Sequence, residues 1–560
     1  MSTTDMLTGM LPMMVLISSL LAVPVSFLLL RWYRSAVEKR MNSISQAATA
    51  VAERDPAQRA PSSTLRLETI DSSSIPFSRE TALPAYRQAM RGPWRAAMIY
   101  TAAGACYALM MTAGWLAATQ DDAIVPTKVL LLFWTYLWPA VLAVVLVAAY
   151  DRRRRLQVFG VYFFTFLAIS TIGAIRNPEA GLGSLLLYWT IQNGPPTVLV
   201  VVFLLRPIRA VGPIVLAFLL VLVVGSESIL LTVSADDAWL MAVVDIGLRF
   251  GLDASGMFAG MILLGMLVFG MLGWPLFRYL GNLYERKKLS DQSILLDALW
   301  LQFGVVQSIG FAFQSPAWVL TGLVAFAGYK LALRFGFRVL DGGRDGDPLT
   351  LLQLRVFALG KRSERLFDRL RKHWQYAGSI TLVAGPDLVT STVEPHEFLD
   401  FVSGRLGRRF VADDHDLERR IVVAEEAPAA DGRYHVHEFF CHANTWRMTM
   451  ERLAAASDAV MMDLRSFTPA NQGCIFELSR LLDEIDLRQI VFLVDETTEI
   501  QFLEATLQRL WLRLSSDSPN QSTVSPTARF FPIKTQSERE LSGLLRLLMI
   551  ALPKPVAAAG

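Results

Sequence analysis

Asp463, Arg465, Asn471, Gln472, Gly473 and Glu477 are gathered in the stretch Asp458 to Glu496, DAVMMDLRSFTPANQGCIFELSRLLDEIDLRQIVFLVDE, and they are the residues of this chain best suited to a polar ligand. A carboxylate such as Asp463 or Glu477 accepts hydrogen bonds or steadies a positive charge, an arginine such as Arg362 or Arg465 meets phosphate with two parallel N–H groups, and Gly360, Gly385 and Gly473 let backbone approach a ligand closely. Each has a plainer reading beside it. A glutamate early in a helix is favoured by the helix dipole whatever the function, and Asp463 with Arg465 can form a purely structural ion pair. His435, His437, Cys441 and His442 form a second cluster; on a strand, the first three share one face. No Cys-x-x-Cys pair accompanies them, and histidines on a half-buried strand are more often satisfied by hydrogen bonds, so no metal site is assigned. Ser457 has no evident base, and neither a phosphate-binding loop nor a nucleophile elbow occurs.

The first cluster needs a scaffold, and its own flanks supply one. Ala459 to Met462 and Ile490 to Val494 are short apolar runs of the kind covered on both faces, while Ile475, Leu478, Leu481, Leu482 and Ile485 recur at helical spacing. This is a βαβ unit with parallel strands joined by a right-handed crossover, and its polar residues fall at the carboxyl end of the first strand, where open α/β sheets place ligands. The same alternation extends outward. After a polar break at residues 341–348, strands are expected at 352–357, 380–384, 433–441 and 530–533, and helices after Ser363 and at 395–405, 445–456, 498–514 and 538–552. Strands alternating with helices imply a mostly parallel sheet covered on both sides.

Before residue 340 the character changes. The chain has 560 residues, 53% of them hydrophobic, and a mean hydropathy of +0.38, beyond the usual share for soluble domains. A membrane helix takes about 20 apolar residues, and nine candidates run from 7–30, 94–118, 128–150, 156–175, 184–205, 210–234, 257–280, 294–313 and 317–335. The eighth has a polar start and a short link to the ninth, so that pair can also be read as re-entrant or interfacial. Basic clusters at 31–95, 152–155, 206–209, 286–288 and 334–338 all fall on one side. The positive-inside rule then sets the amino terminus outside and the carboxyl domain in the cytoplasm of a plasma-membrane protein. The first segment has no basic residue before it, unlike a secretory signal, and is read as an uncleaved anchor. A net charge of +3 is too small to suggest nucleic acid, and three scattered cysteines suit a reducing compartment. The expected organisation is an anchor at 1–40, a cytoplasmic linker at 41–92, a multi-pass region at 93–338 and an α/β domain at 346–560. Within the multi-pass region, Gln192, Asn193, Gly194, Pro195 and Pro196 interrupt the fifth candidate, either as a packed kink or as a transporter-like broken helix. Glu227 is an ionisable group at membrane depth, and glycines 256 to 273 in the seventh candidate suit close helix contact.

In the α/β part, "TWRMTMERLAAASDAVMMDL", "NQGCIFELSRLLDEI" and "IVFLVDE" resemble the second half of a Toll/interleukin receptor (TIR) domain, and Cys474, Glu477 and Leu478 match its Cys-x-x-Glu-Leu signature. "RVFALGKRSERLFDRL" is similar to the opening strand and helix of that family. The family's aromatic-Ser-aromatic-Ser opening is replaced by Ala358, Leu359 and Gly360. Its Pro-Gly loop after the second strand has no counterpart around His442 to Thr445, and residues 379–432 look like an insertion. The resemblance implies a flavodoxin-like, TIR-like fold that either self-associates as a signalling adaptor or cleaves the nicotinamide–ribose bond of NAD. NAD would then be a substrate, with no resident cofactor, and Glu477 the acid stabilising an oxocarbenium-like charge. Expected partners are the lipid bilayer, a nucleotide and a second copy of the chain; the third expectation is a transporter regulated by this domain.

Overall fold

The computed structural model describes residues 18, 20–39, 63–72, 83–119, 125–149, 152–177, 181–203, 208, 211–234, 236–286, 288–312, 314–340, 348–355, 361–384, 395–424, 427–442, 445–535 and 537–550. The chain divides into a helical unit, Met1–Tyr33 with Trp94–Gly342 and Val393–Ser403, and an α/β unit, Arg34–Pro93 with Gly343–Thr392 and Gly404–Gly560.

Nine helices among the described residues are long and apolar enough to cross a membrane: Leu20–Lys39, Pro84–Ala118, Pro126–Val147, Arg152–Arg176, Leu182–Val202, Ile214–Ser234, Ala254–Tyr284, Asp291–Phe311 and Leu320–Val339. Each overlaps one of the nine expected runs; residues 7–17 and 19 of the first run lie outside the described residues. The third is interrupted at Leu137, next to Pro139, which lacks an N–H for the helical ladder. The eighth, the run open to a re-entrant reading, is an unbroken helix whose start is fixed reciprocally: Ser290 N donates to Ser293 Oγ at 2.8 Å and Ser293 N donates to Ser290 Oγ at 3.1 Å. A helix at Asp237–Arg249, capped by Asp236, was not expected; at 13 residues it is shorter than the apolar run that identifies a span. Phe163, Phe164, Leu167, Ile172 and Ile175 on the fourth span are exposed, as side chains facing lipid are.

Close packing rests on glycine. A Cβ on Gly265 would lie 2.6 Å from Ser226 Cα, so the sixth and seventh helices touch along the glycine row, where Ser226 Oγ also donates to Ile262 O at 3.2 Å. One more helix belongs to the helical unit, Pro395–Val402. Its Phe398 and Leu399 are buried in one core with Ala22, Leu30, Ile208 and Val211.

The α/β unit holds a seven-stranded, wholly parallel sheet: β1 (Arg66–Thr69), β2 (Leu349–Arg355), β3 (Gly378–Ala384), β4 (Val436–Phe440), β5 (Ala459–Asp463), β6 (Ile490–Val494) and β7 (Thr527–Pro532), in the order β1-β7-β6-β5-β2-β3-β4. Every residue of β5 and β6 is buried, which is why those runs carry no polar alternation. The helices are α1 (Lys361–Trp374), α2 (Asp414–Ala424), α3 (Trp446–Ala455), α4 (Gln472–Glu484), α5 (Ile500–Trp511) and α6 (Glu538–Ile550). Helices α3, α4 and α5 pack side by side and α1 packs with α6; the right-handed crossovers usual for parallel strands would place the two groups on opposite faces. Full burial of Leu478, Leu481 and Leu482 on the inner side of α4 contributes about 1.5–3 kcal/mol each.

Two features differ from the expected layout. The central strands β3-β2-β5-β6-β7 keep the 2-1-3-4-5 order of flavodoxin-like winding, but β4 lies outside β3 and not beside β2. The strand expected at 433–441 is therefore an added edge, and β3 is the neighbour of β2. With β4 counted, β2 to β7 follow the 3-2-1-4-5-6 order of dinucleotide-binding sheets. Residues 63–69, within the stretch read as a linker, form the opposite edge: β1 pairs with β7, and Gln508 Nε2 and Trp511 Nε1 donate to Leu65 O and Ser63 O at 2.9 and 2.8 Å. A four-residue edge strand carries too little alternation to be read before its partner is known.

Candidate functional site

The strand order reverses between β2 and β5, and the carboxyl ends of strands at such a reversal are where sheets of this kind hold ligands. Asp463 closes β5 there, in register with Arg355 of β2 and Leu493 of β6. Two residues on, Arg465 folds back and grips it: Nε donates to Oδ1 at 2.7 Å and Nη2 to Oδ2 at 2.6 Å, with both side chains 1% exposed. This is the structural ion pair weighed against a ligand role, and both groups are spent on each other. Burial opposes the guanidinium charge, but the Asp463 hydrogen bonds outweigh it and hold the Arg465 pKa above its ordinary value.

The next residue, Ser466, has a φ of 59°, the left-handed region that non-glycine residues enter only under strain. It is held by the loop after β6. Thr497 Oγ1 accepts from Ser466 N at 3.0 Å and lies 2.9 Å from Ser466 Oγ, while Asp495 Oδ1 accepts from Thr497 N and Oγ1 at 2.9 and 2.6 Å. Thr498 Oγ1 donates to Leu464 O at 3.1 Å, and Glu499 N to Phe467 O at 3.1 Å. The exits of β5 and β6 thus form one stitched ledge with the Ser466 and Thr497 hydroxyls at its surface. Sequence reasoning passed over Ser466, Asp495 and Thr497; the only available signal was a hydroxyl-rich, acidic exit after an apolar strand.

Asn471 and Gly473 stand where α4 begins. Asn471 Oδ1 accepts from Thr468 N and Oγ1 at 2.8 and 3.1 Å, so its side chain closes the preceding turn instead of capping the helix. Glu477 lies on the inner side of α4 with Cys474, Leu478, Leu481 and Leu482, 3% exposed. Its Oε2 has no hydrogen-bond partner among the described residues, and burial pushes its carboxyl from 4.5 up to about 8. Gly360 and Gly385 lie outside the described residues. Arg362 lies in α1, with its side chain outside them.

The titration of Glu477 has a consequence for stability. Between pH 4.5 and 8 the folded chain holds a proton that the unfolded chain has released, so this stabilisation is complete below 4.5 and is lost as pH rises through 8. Thermal melts of the full chain should fall between pH 6 and 9, and Glu477→Gln should flatten that decline, by up to about 5 kcal/mol at the alkaline end. Equal slopes for the two proteins would show that the carboxyl is solvated.

In the histidine cluster, the His435 and His437 rings lie with centroids 6.3 Å apart. His442 stacks on Phe410, with ring centroids 4.8 Å apart, and burial pushes the Cys441 thiol up to about 11. Among the described residues, no group of three or more His, Cys, Asp or Glu side chains could hold a metal ion.

In the helical unit, Leu182–Phe203 continues through Pro195 and Pro196, and Asn193 is wholly buried. Gln307 Nε2 donates to Asn193 Oδ1 at 2.9 Å, Asn193 Nδ2 to Thr135 O at 3.2 Å, and Tyr107 Oη to Gln307 Oε1 at 2.9 Å. Gln302 Nε2 reaches the carbonyl of Pro196 at 3.4 Å. These contacts satisfy polar groups that lipid cannot, as a packed kink requires. Gln302 and Gln307, lone amides in an apolar helix, were the sequence signal for that network. Lys330 Nζ and Asp297 Oδ2 pair at 2.6 Å on neighbouring helices. Glu227 lies in the sixth helix, but its side chain is outside the described residues.

No family model, curated protein or solved structure matches this chain.

Proposed function

We propose that this chain is a multi-pass membrane signalling protein whose α/β unit lies in the cytoplasm and binds a nucleotide at the carboxyl edge of the sheet. One observation carries the reading. Strands β2 to β7 follow the winding used by dinucleotide-binding sheets, and the reversal between β2 and β5 falls where Asp463, Ser466 and Thr497 build a fixed ledge. The TIR-like signature at Cys474, Glu477 and Leu478 makes NAD the first nucleotide to try. Burial of Glu477 supports binding over cleavage, since an acid with a pKa near 8 is protonated at neutral pH and cannot steady a cationic sugar. The basic flanks of the spans support the cytoplasmic placement.

The test uses the full chain in detergent or nanodiscs with NAD, ADP-ribose and ATP, followed by equilibrium dialysis for binding and chromatography for released nicotinamide. At least one nucleotide should bind without turnover, and Thr497→Trp, a change at an exposed position, should weaken it at least tenfold. Absence of binding for all three at millimolar concentration would reject the reading. Turnover abolished by Glu477→Gln would replace it with catalysis.

A further inference from the structure

We infer that the helical unit passes protons across the membrane along a file of buried polar groups between its second, third, fifth, eighth and ninth helices; this rests on the spans and not on the nucleotide reading. The file is continuous. Lys330 pairs with Asp297 at 2.6 Å, and one turn along the eighth helix Trp300 lies between Tyr329 and Tyr107, with ring centroids at 4.6 and 4.9 Å. Tyr107 donates to Gln307, Gln307 to Asn193, and Asn193 to the carbonyl of Thr135. Beside Thr135, the Tyr136 hydroxyl lies 3.1 Å from that of Tyr188. Tyr107, Tyr136, Asn193, Trp300, Gln307 and Tyr329 are all wholly buried. The file also has the length of a crossing. Gln302 and Gln307 meet Pro196 and Asn193 in reverse order, so the fifth and eighth helices run antiparallel. At a rise of about 1.5 Å per residue, Asp297 to Gln307 spans about 15 Å and Asn193 to Tyr188 adds about 7 Å in the same direction, most of a hydrocarbon core about 30 Å thick.

Packing alone does not account for these groups. Trp300 Nε1, Tyr329 Oη and Thr135 Oγ1 are buried with no hydrogen-bond partner among the described residues, a costly arrangement within lipid unless a polar occupant meets them. Water satisfies all three. The Asp297 and Lys330 side chains are 19% and 38% exposed, and a charged pair at this depth is stable where water reaches it. A larger occupant is shut out: a Cβ on Gly104 would lie 2.6 Å from Ala140 Cβ and 2.7 Å from Trp300, so the walls of the file are closely packed. A metal cation is poorly served, because Lys330 already neutralises Asp297. A proton needs neither room nor a carboxylate cage. Gln307 and Asn193, spent on their neighbours, hold the walls in place, while each water or hydroxyl accepts one proton and releases another on its far side, so every group ends as it began.

The experiment uses the full chain in vesicles of phosphatidylcholine and phosphatidylglycerol, loaded with potassium and a trapped pH dye and diluted into sodium. Valinomycin then sets an inside-negative potential that draws protons in. No nucleotide is added, so the outcome is independent of the nucleotide reading. The parent should acidify the lumen at least ten times faster than protein-free vesicles. Thr135→Val and Tyr329→Phe each remove one orphan hydroxyl, a change that is neutral or stabilising in a dry core. Both variants should therefore melt no lower than the parent while passing protons at under a third of its rate. A parent rate equal to that of empty vesicles, variants that conduct as the parent does, or sodium uptake matching the proton rate would each overturn the inference. So would a lower melting point accompanying the lost flux, which would assign the hydroxyls to packing.

Discussion

Asp463→Ala should unfold the α/β unit under conditions where the parent is stable. The substitution leaves the Arg465 guanidinium buried at 1% exposure with its two bonds gone, and an unpaired buried charge costs about 3–5 kcal/mol, a large share of the stability of a domain. Arg465→Ala strands the carboxylate and should be comparably severe. The double replacement Asp463→Leu with Arg465→Met removes both charges, and buried pairs replaced in this way are often neutral or better. The expected signature in chemical denaturation is two crippled single variants and a double variant near the parent. Tolerated single variants would mean that water reaches the pair.

Gly322→Val should prevent assembly of the helical unit. A Cβ at Gly322 would lie 2.0 Å from the carbonyl oxygen of Gly304, and one at Gly304 would lie 2.9 Å from that of Gly322, so the eighth and ninth helices cross with backbones in contact. Neither carbonyl can swing aside without breaking its helix. Overpacking a core with one methylene already costs about 1–3 kcal/mol, and here a branched side chain meets rigid backbone. Gly260→Ala is the control, because nothing lies within 4 Å of its would-be Cβ. Size-exclusion profiles and thermal scans in detergent should show the first variant aggregated and the second unchanged; a well-folded Gly322→Val protein would refute this crossing.

What the sequence made legible follows from how local each signal is. Nine spans were readable because an apolar run is its own evidence, and β5 and β6 because strands buried on both faces need no partner to be recognised. Ser290 and Ser293 marked the start of the eighth helix, since reciprocal serine capping is a local pattern. The edges were not legible: β1 is four residues drawn from far upstream, and the place of β4 outside β3 depends on a crossover. Within the site, Asp463 and Arg465 were found, but their mutual grip lies in the turn that Ser466 enters at positive φ. Glu477 was found as a helix acid, yet whether it faced crevice or core depended on which side of α4 meets the sheet. The destination of Pro395–Val402 was hidden for the same reason, because its apolar face fits a sheet and a helical bundle equally well.

Nucleotide binding at the reversal between β2 and β5 is the claim on which the rest depends, and amide hydrogen exchange over the full chain, with and without NAD or ATP, addresses it directly. Slower exchange confined to the exits of β5 and β6, at 464–471 and 495–499, is the predicted result. Bound nucleotide that leaves those amides unchanged, or protects the opposite ends of the strands near Thr350, Ser379 and Ser457, would contradict it.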